Sequence, residues 1–212
     1  MYDDLKTLTV RNDAGVLCAT IHNPPVNVLS LQVAADLSSL ADMAWIDPAV
    51  RVIVLDSADP DFFIAHFEAA LVIGAPEEPH PVRYPELTHL HALCAKFRDN
   101  PKPSLVKMAG RAGGGGCEFA ASCDMRFGVR GKTILNQMEV ALGIIPGGSG
   151  CQNWVRHVGR GRALEVILGC DDIDCDTARD WGYLNRAFDD VEAMNAFVDR
   201  LAARIALWPP QG

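Results

Sequence analysis

Gly113-Gly114-Gly115-Gly116-Cys117-Glu118 decides how this chain is read. Four successive glycines remove every Cβ from a short segment, so its backbone N–H groups can approach a ligand oxygen directly. The glycines run straight into an apolar helical stretch expected over Cys117 to Ser122, and a glutamate stands beside the donors. A second carboxylate follows at Gln137-Met138-Glu139, and another tight turn at Ile145-Pro146-Gly147-Gly148. Together these describe an enzyme that stabilises an oxyanion.

Working outward, the segment before the glycines, Ser104 to Met108, is a β-rich run after Pro101 and Pro103. A strand is expected near Cys123 to Val129, with helices around Gly150 to His157, Arg160 to Leu168 and Val191 to Ala206. Toward the N-terminus, Leu5 to Arg11 and Val16 to His22 read as a hairpin across Asn12-Asp13-Ala14-Gly15. Ser30 is placed to cap a helix over Leu31 to Ala44, and Val52 to Leu55 reads as a buried strand. The apolar stretch Phe62 to Phe67 follows. Residues 74–86, with Gly74 and four prolines, read as an irregular, mobile loop before a helix over Leu87 to Arg98. Strands alternating with helices imply an α/β protein.

The composition bounds the function. With 212 residues, 49% of them hydrophobic and 22% charged, the chain can bury a sizeable core as one globular unit. A net charge of -8 disfavours nucleic acid and membrane surfaces as partners and points to a small molecule. Seven cysteines, an odd number, lie mostly in apolar runs, without CxxC pairs or zinc spacing, and read as reduced, packed thiols in a cytoplasmic protein. No metal and no separate cofactor is expected. The N-terminus shows neither a basic nor an apolar leader region, and no apolar run is long enough to span a bilayer.

Taken in order, these segments resemble the crotonase superfamily of enoyl-CoA hydratases and isomerases. Asn23-Pro24-Pro25-Val26-Asn27-Val28-Leu29 is similar to the family's early CoA-proximal segment, and Phe62 to Glu68 to its first oxyanion loop. Gly113 to Asp124 resembles the second loop, Gln137 to Gly143 and Ile145 to Gly150 the third active-site segment, and Ala163 to Arg186 the helical stretch that follows. The resemblance implies a ClpP/crotonase-like α/β fold, a spiral of repeated β-β-α units with surrounding helices. It places a core domain over residues 1–190 and a C-terminal helix over 191–212, with the family's helical lid shortened.

The same resemblance assigns roles. Backbone N–H groups of Phe67 and Gly115 form the oxyanion hole; Glu118 and Glu139 match the hydratase glutamate pair, with their division of labour left open. Val26, Val28, Ala65, His66, Gly114, Pro146 and Gly147 line the acyl-CoA site. The implied reaction is hydration of a trans-2-enoyl-CoA thioester by a lyase of fatty acid metabolism. Enoyl-CoA isomerisation, or a catalytically silent acyl-CoA-binding scaffold, is the alternative. Homotrimers or hexamers are implied. One departure stands out: the family's Phe-x-Ala-Gly-x-Asp reads Phe63-Ile64-Ala65-His66-Phe67-Glu68 here. Either a glycine-only backbone is lost and the Phe67 donor displaced, or His66 adds a titratable group beside the thioester, or it is a tolerated loop residue. His89, His91, the Arg156/Arg160/Arg162 run and Cys117 read as surface or packing residues.

Overall fold

The computed structural model describes residues 2–73 and 88–209; the expected loop over 74–86 lies outside them. Strands β1 (Leu8–Asp13) and β2 (Val16–Ile21) pair antiparallel. The strand runs two residues further than expected, because Ala14 and Gly15, both at positive φ (48° and 89°), complete the two-residue turn whose twist suits a hairpin. Helix α1 (Leu31–Ile46) begins where Ser30 Oγ accepts from the Val33 N–H and buries Val33, Leu37, Leu40, Ala41 and Ala44 at helical spacing.

From here the chain coils. Strand β3 (Val52–Ser57) is followed by the short β4 (Phe62–Ile64) and by helices α2 (Ala69–Ile73) and α3 (His89–Arg98). A second turn runs through β5 (Ser104–Met108), β6 (Arg111–Gly113) and α4 (Gly115–Ser122), and a third through β7 (Met125–Val129), β8 (Ile134–Asn136) and α5 (Gly150–Val158). Helix α6 (Arg160–Gly169), strand β9 (Ile173–Asp174), helix α7 (Cys175–Trp181), strand β10 (Arg186–Phe188) and helix α8 (Val191–Ala206) complete the described elements. Each turn gives one strand to a six-stranded sheet, ordered β1-β2-β3-β5-β7-β10, and one to a four-stranded sheet, ordered β4-β6-β8-β9. Among the described strands, only β1–β2 and β8–β9 pair antiparallel. This is the expected spiral. The short strands β4, β6, β8, β9 and β10 escape periodicity because two or three residues carry no repeat.

Both faces of the large sheet are covered, which explains the continuous apolar run of β3. Ile53 and Leu55 join the core shared with α1, α3 and α4, whereas Val52 and Val54 join Leu105, Phe127 and Val129 beneath α8. Helix α8 contributes Met194, Val198 and Ala202, spaced four apart on one face. Buried Arg126 secures the far end of α4. Its guanidinium donates to the carbonyls of Cys123 (2.6 Å), Ala120 (3.4 Å) and Tyr183 (2.7 Å) and lies over the Tyr183 ring. A cation at a helix C-terminus also complements the dipole.

Candidate active site

The glycine run is a strand-to-helix junction. β6 ends at Gly113; Gly114, at φ 46°, turns the chain; α4 begins at Gly115, two residues earlier than the apolar pattern predicts. The left-handed angle at Gly114 disfavours any side chain. Three amides of the junction are used within the fold. Gly113 N–H donates to Ala65 (3.1 Å), Gly114 N–H to Asn136 (2.8 Å), and Glu118 N–H to the Gly114 carbonyl (3.0 Å). The Gly115 N–H, at the first helical position, has no partner among the described residues.

A second unpaired donor lies beside it. Leu29 and Phe67 form a parallel bridge in which Leu29 N–H donates to His66 (2.8 Å) and Glu68 N–H to Leu29 (3.2 Å). This turns the Phe67 N–H to the opposite edge, where it too lacks a partner among the described residues. A Cβ on Gly115 would stand 3.4 Å from the Phe67 nitrogen and 2.9 Å from its Cβ. Only glycine allows the two donors this close.

Glu118 projects from the first turn of α4 and is 1% exposed. Its Oε1 accepts from the N–H groups of Gly148 (2.7 Å), on the turn before α5, and Gly150 (2.8 Å), the first residue of that helix. Burial, and secondarily the charge of Glu139, push its carboxyl up to about 7, against the opposing pull of the two amides. Glu139, 7% exposed, leads into the 3-10 turn Val140–Leu142, and its carboxyl is also raised, first by burial. Its Oε2 is buried without a partner among the described residues. Both carboxylates press on glycine: a Cβ on Gly114 would lie 2.7 Å from Glu139 Oε1, and one on Gly150 2.7 Å from Glu118 Oε1. The two acids therefore flank the same helix start that carries the Gly115 donor. Such a site can hold a developing anion on one side and move protons on the other.

The other expected residues divide. Ala65, 5% exposed, ties the loops together: its N–H donates to Asn27 (3.3 Å) and its carbonyl accepts from Gly113. Val26 and Val28 are half-buried in the turn leading to Leu29. His66 is not among the residues at positive φ, so its backbone does not require a glycine. Pro146 is buried, and its Cβ would meet a Cβ on Gly150 at 2.6 Å. Gly147 is not brought to the carboxylates: a Cβ there would find only the Ile145 carbonyl, at 3.8 Å. The contact belongs to Gly148 and Gly150, because α5 starts one residue after the left-handed Ser149 and aims those two amides inward.

Gln137 and Leu90 are also part of the site. Gln137, fully buried, donates through Nε2 to the Gly114 carbonyl at 3.0 Å. Leu90 of α3 packs over Gly148, where a Cβ would meet its Cγ at 2.7 Å. The glycines after Pro146 were a visible signal for Gly148 and Gly150; nothing local marks Leu90. The packing readings hold elsewhere. His91 interacts with the cap residue Thr88, and Arg162 lies over Trp181. Cys117 faces Tyr183, its thiol pushed up to about 12 by burial, so it is no nucleophile.

Residues 11–210 match the enoyl-CoA hydratase/isomerase family, and the chain belongs to it. It is 32% identical to a Bacillus subtilis (strain 168) protein named "Probable enoyl-CoA hydratase", over 98% of this chain and 79% of that protein. It is 28% identical to a short-chain-enoyl-CoA hydratase of Clostridium acetobutylicum, over 91% of this chain and 72% of that one. Among solved structures, a Streptomyces avermitilis protein assigned as an enoyl-CoA hydratase superposes with a TM-score of 0.85 at 38% identity, covering 96% of this chain and 75% of that one.

Proposed function

We propose that this chain hydrates trans-2-enoyl-CoA thioesters. The observation that carries the reading is the pair of buried carboxylates, Glu118 and Glu139, beside two adjacent N–H groups, Phe67 and Gly115, without partners among the described residues. The thioester oxygen accepts from both amides. As oxygen adds to the β-carbon, negative charge moves onto that oxygen, where fixed donors in a dry pocket stabilise it. An ionised carboxylate takes one proton from water while a protonated one gives a proton to the α-carbon, so the pair's proton count is unchanged. Burial of two facing acids supports this division, since it keeps one of them protonated near neutrality.

Val26, Val28, Ala65, His66, Gly114, Pro146 and Gly147 are assigned to the walls around the acyl-CoA. The thioester is the substrate, and no separate cofactor takes part. Exposed Leu142, Ile145 and Leu168 support association into homotrimers or hexamers, and seven free cysteines support a reducing cytoplasmic setting. Mass analysis of products tests the reading: trans-2-enoyl-CoA should gain the mass of one water. Conversion of a 3-enoyl-CoA to its 2-enoyl isomer without hydration would replace it with an isomerase, and binding without turnover with a silent scaffold.

A further inference from the structure

His66 does more than tolerate its place in the loop. Its Nδ1 lies 2.7 Å from the carbonyl oxygen of Phe67. A carbonyl only accepts, so Nδ1 carries the proton and donates it. The two peptide units flanking Phe67 are thereby held from three sides. The unit before it, which contains the Phe67 N–H, is fixed through the His66 carbonyl by Leu29 N–H at 2.8 Å. The unit after it is fixed by Glu68 N–H on the Leu29 carbonyl at 3.2 Å and by the His66 ring on the Phe67 carbonyl. Without the ring, that carbonyl has no partner among the described residues, and rotation about the Phe67 backbone has one restraint fewer.

We infer that His66 is a positioning residue for the oxyanion hole, its ring N–H locking the backbone of Phe67 so that the Phe67 amide is aimed before substrate arrives. The inference rests on the hydratase reading for its kinetic consequence; the clamp itself rests on the contact of the His66 ring with the Phe67 carbonyl. Nδ1 donates in the neutral and the protonated ring alike, so the clamp does not depend on the ring's charge. Preorganised donors act on the transition state, so loss of the clamp lowers kcat and leaves KM little changed.

The test uses two variants of similar size, of which one keeps an N–H donor and the other has none. Asparagine places an amide N–H where His66 has Nδ1; leucine places a methyl group there. His66→Leu should lower kcat for enoyl-CoA hydration by about threefold to tenfold, the worth of one net hydrogen bond, and His66→Asn should recover activity to within about twofold. The red shift of a bound 2,4-dienoyl-CoA, which reports polarisation of its carbonyl, should shrink in the leucine variant and return in the asparagine variant. Amide hydrogen exchange at Glu68, measured without ligand, should quicken in the leucine variant only; His66→Ala serves if leucine disturbs the fold. Equal behaviour of Leu and Asn variants, whether both intact or both impaired, overturns the inference. If wild type hydrates no enoyl-CoA, the functional reading fails, and the exchange comparison still decides the role of His66.

Discussion

Replacing Glu118 by glutamine should abolish hydration and at the same time change how stability depends on pH. The glutamine Oε1 still accepts from Gly148 and Gly150, so the substitution removes a titratable proton and little else. In the wild type, burial first and Glu139 second raise the Glu118 carboxyl from 4.5 to about 7. At about 1.36 kcal/mol per tenfold change, that difference amounts to about 3 kcal/mol. The folded state holds the proton more tightly than the unfolded chain, so this contribution is fully present below about pH 4.5 and is lost as pH rises through about 7. Glu118→Gln has no such loss. Urea denaturation at fixed protein concentration and ionic strength, from pH 4.5 to 8, should therefore show the variant gaining about 3 kcal/mol on the wild type across that range. Parallel profiles, differing by a constant, would mean that Glu118 ionises like an exposed carboxylate and would refute the account of its burial.

Other expectations concern single contacts. Gly115→Ala, with a Cβ 2.9 Å from that of Phe67, should separate the two donors and lower kcat by about two to three orders of magnitude in a steady-state assay. Gly114→Ala combines φ 46° with a Cβ 2.7 Å from Glu139 Oε1; it should cost more than about 1 kcal/mol in chemical denaturation and inactivate the enzyme. Arg126→Met leaves the Ala120, Cys123 and Tyr183 carbonyls without their donor and should destabilise the fold by about 3 kcal/mol, read as a lowered urea midpoint. Leu90→Ala opens the cover over Gly148 and should bring the Glu118 titration down toward 4.5, flattening the wild-type stability profile above pH 5.

Much of this was legible in the residues. Ser104–Met108 and Val191–Ala206 fall where the apolar pattern puts them, because β5 is buried along its whole length inside the sheet and α8 buries one regular face against it. The glycine run and its glutamate announced the helix start by chemistry alone. What the sequence hid is long-range. β6 and β8 are three residues each, held by neighbours in the spiral rather than by their own periodicity. That Gly148 and Gly150, not Gly147, meet Glu118 depends on the left-handed turn at Ser149, and serine is a poor advertisement for that conformation. Leu90 reaches the site only because α3 packs on α4. For His66 the residues alone left a lost glycine conformation, an added titratable group and a tolerated loop residue all open, and the contact of its ring with the Phe67 carbonyl is visible only in the folded loop.

The decisive measurement is the decay of the enoyl-thioester absorbance when crotonyl-CoA is added to wild type, Glu118→Gln and Glu139→Gln. The account predicts rapid loss of the band with wild type and none above background with either variant. A wild-type protein that binds the thioester while the band persists, or a single variant that keeps the wild-type rate, would contradict it.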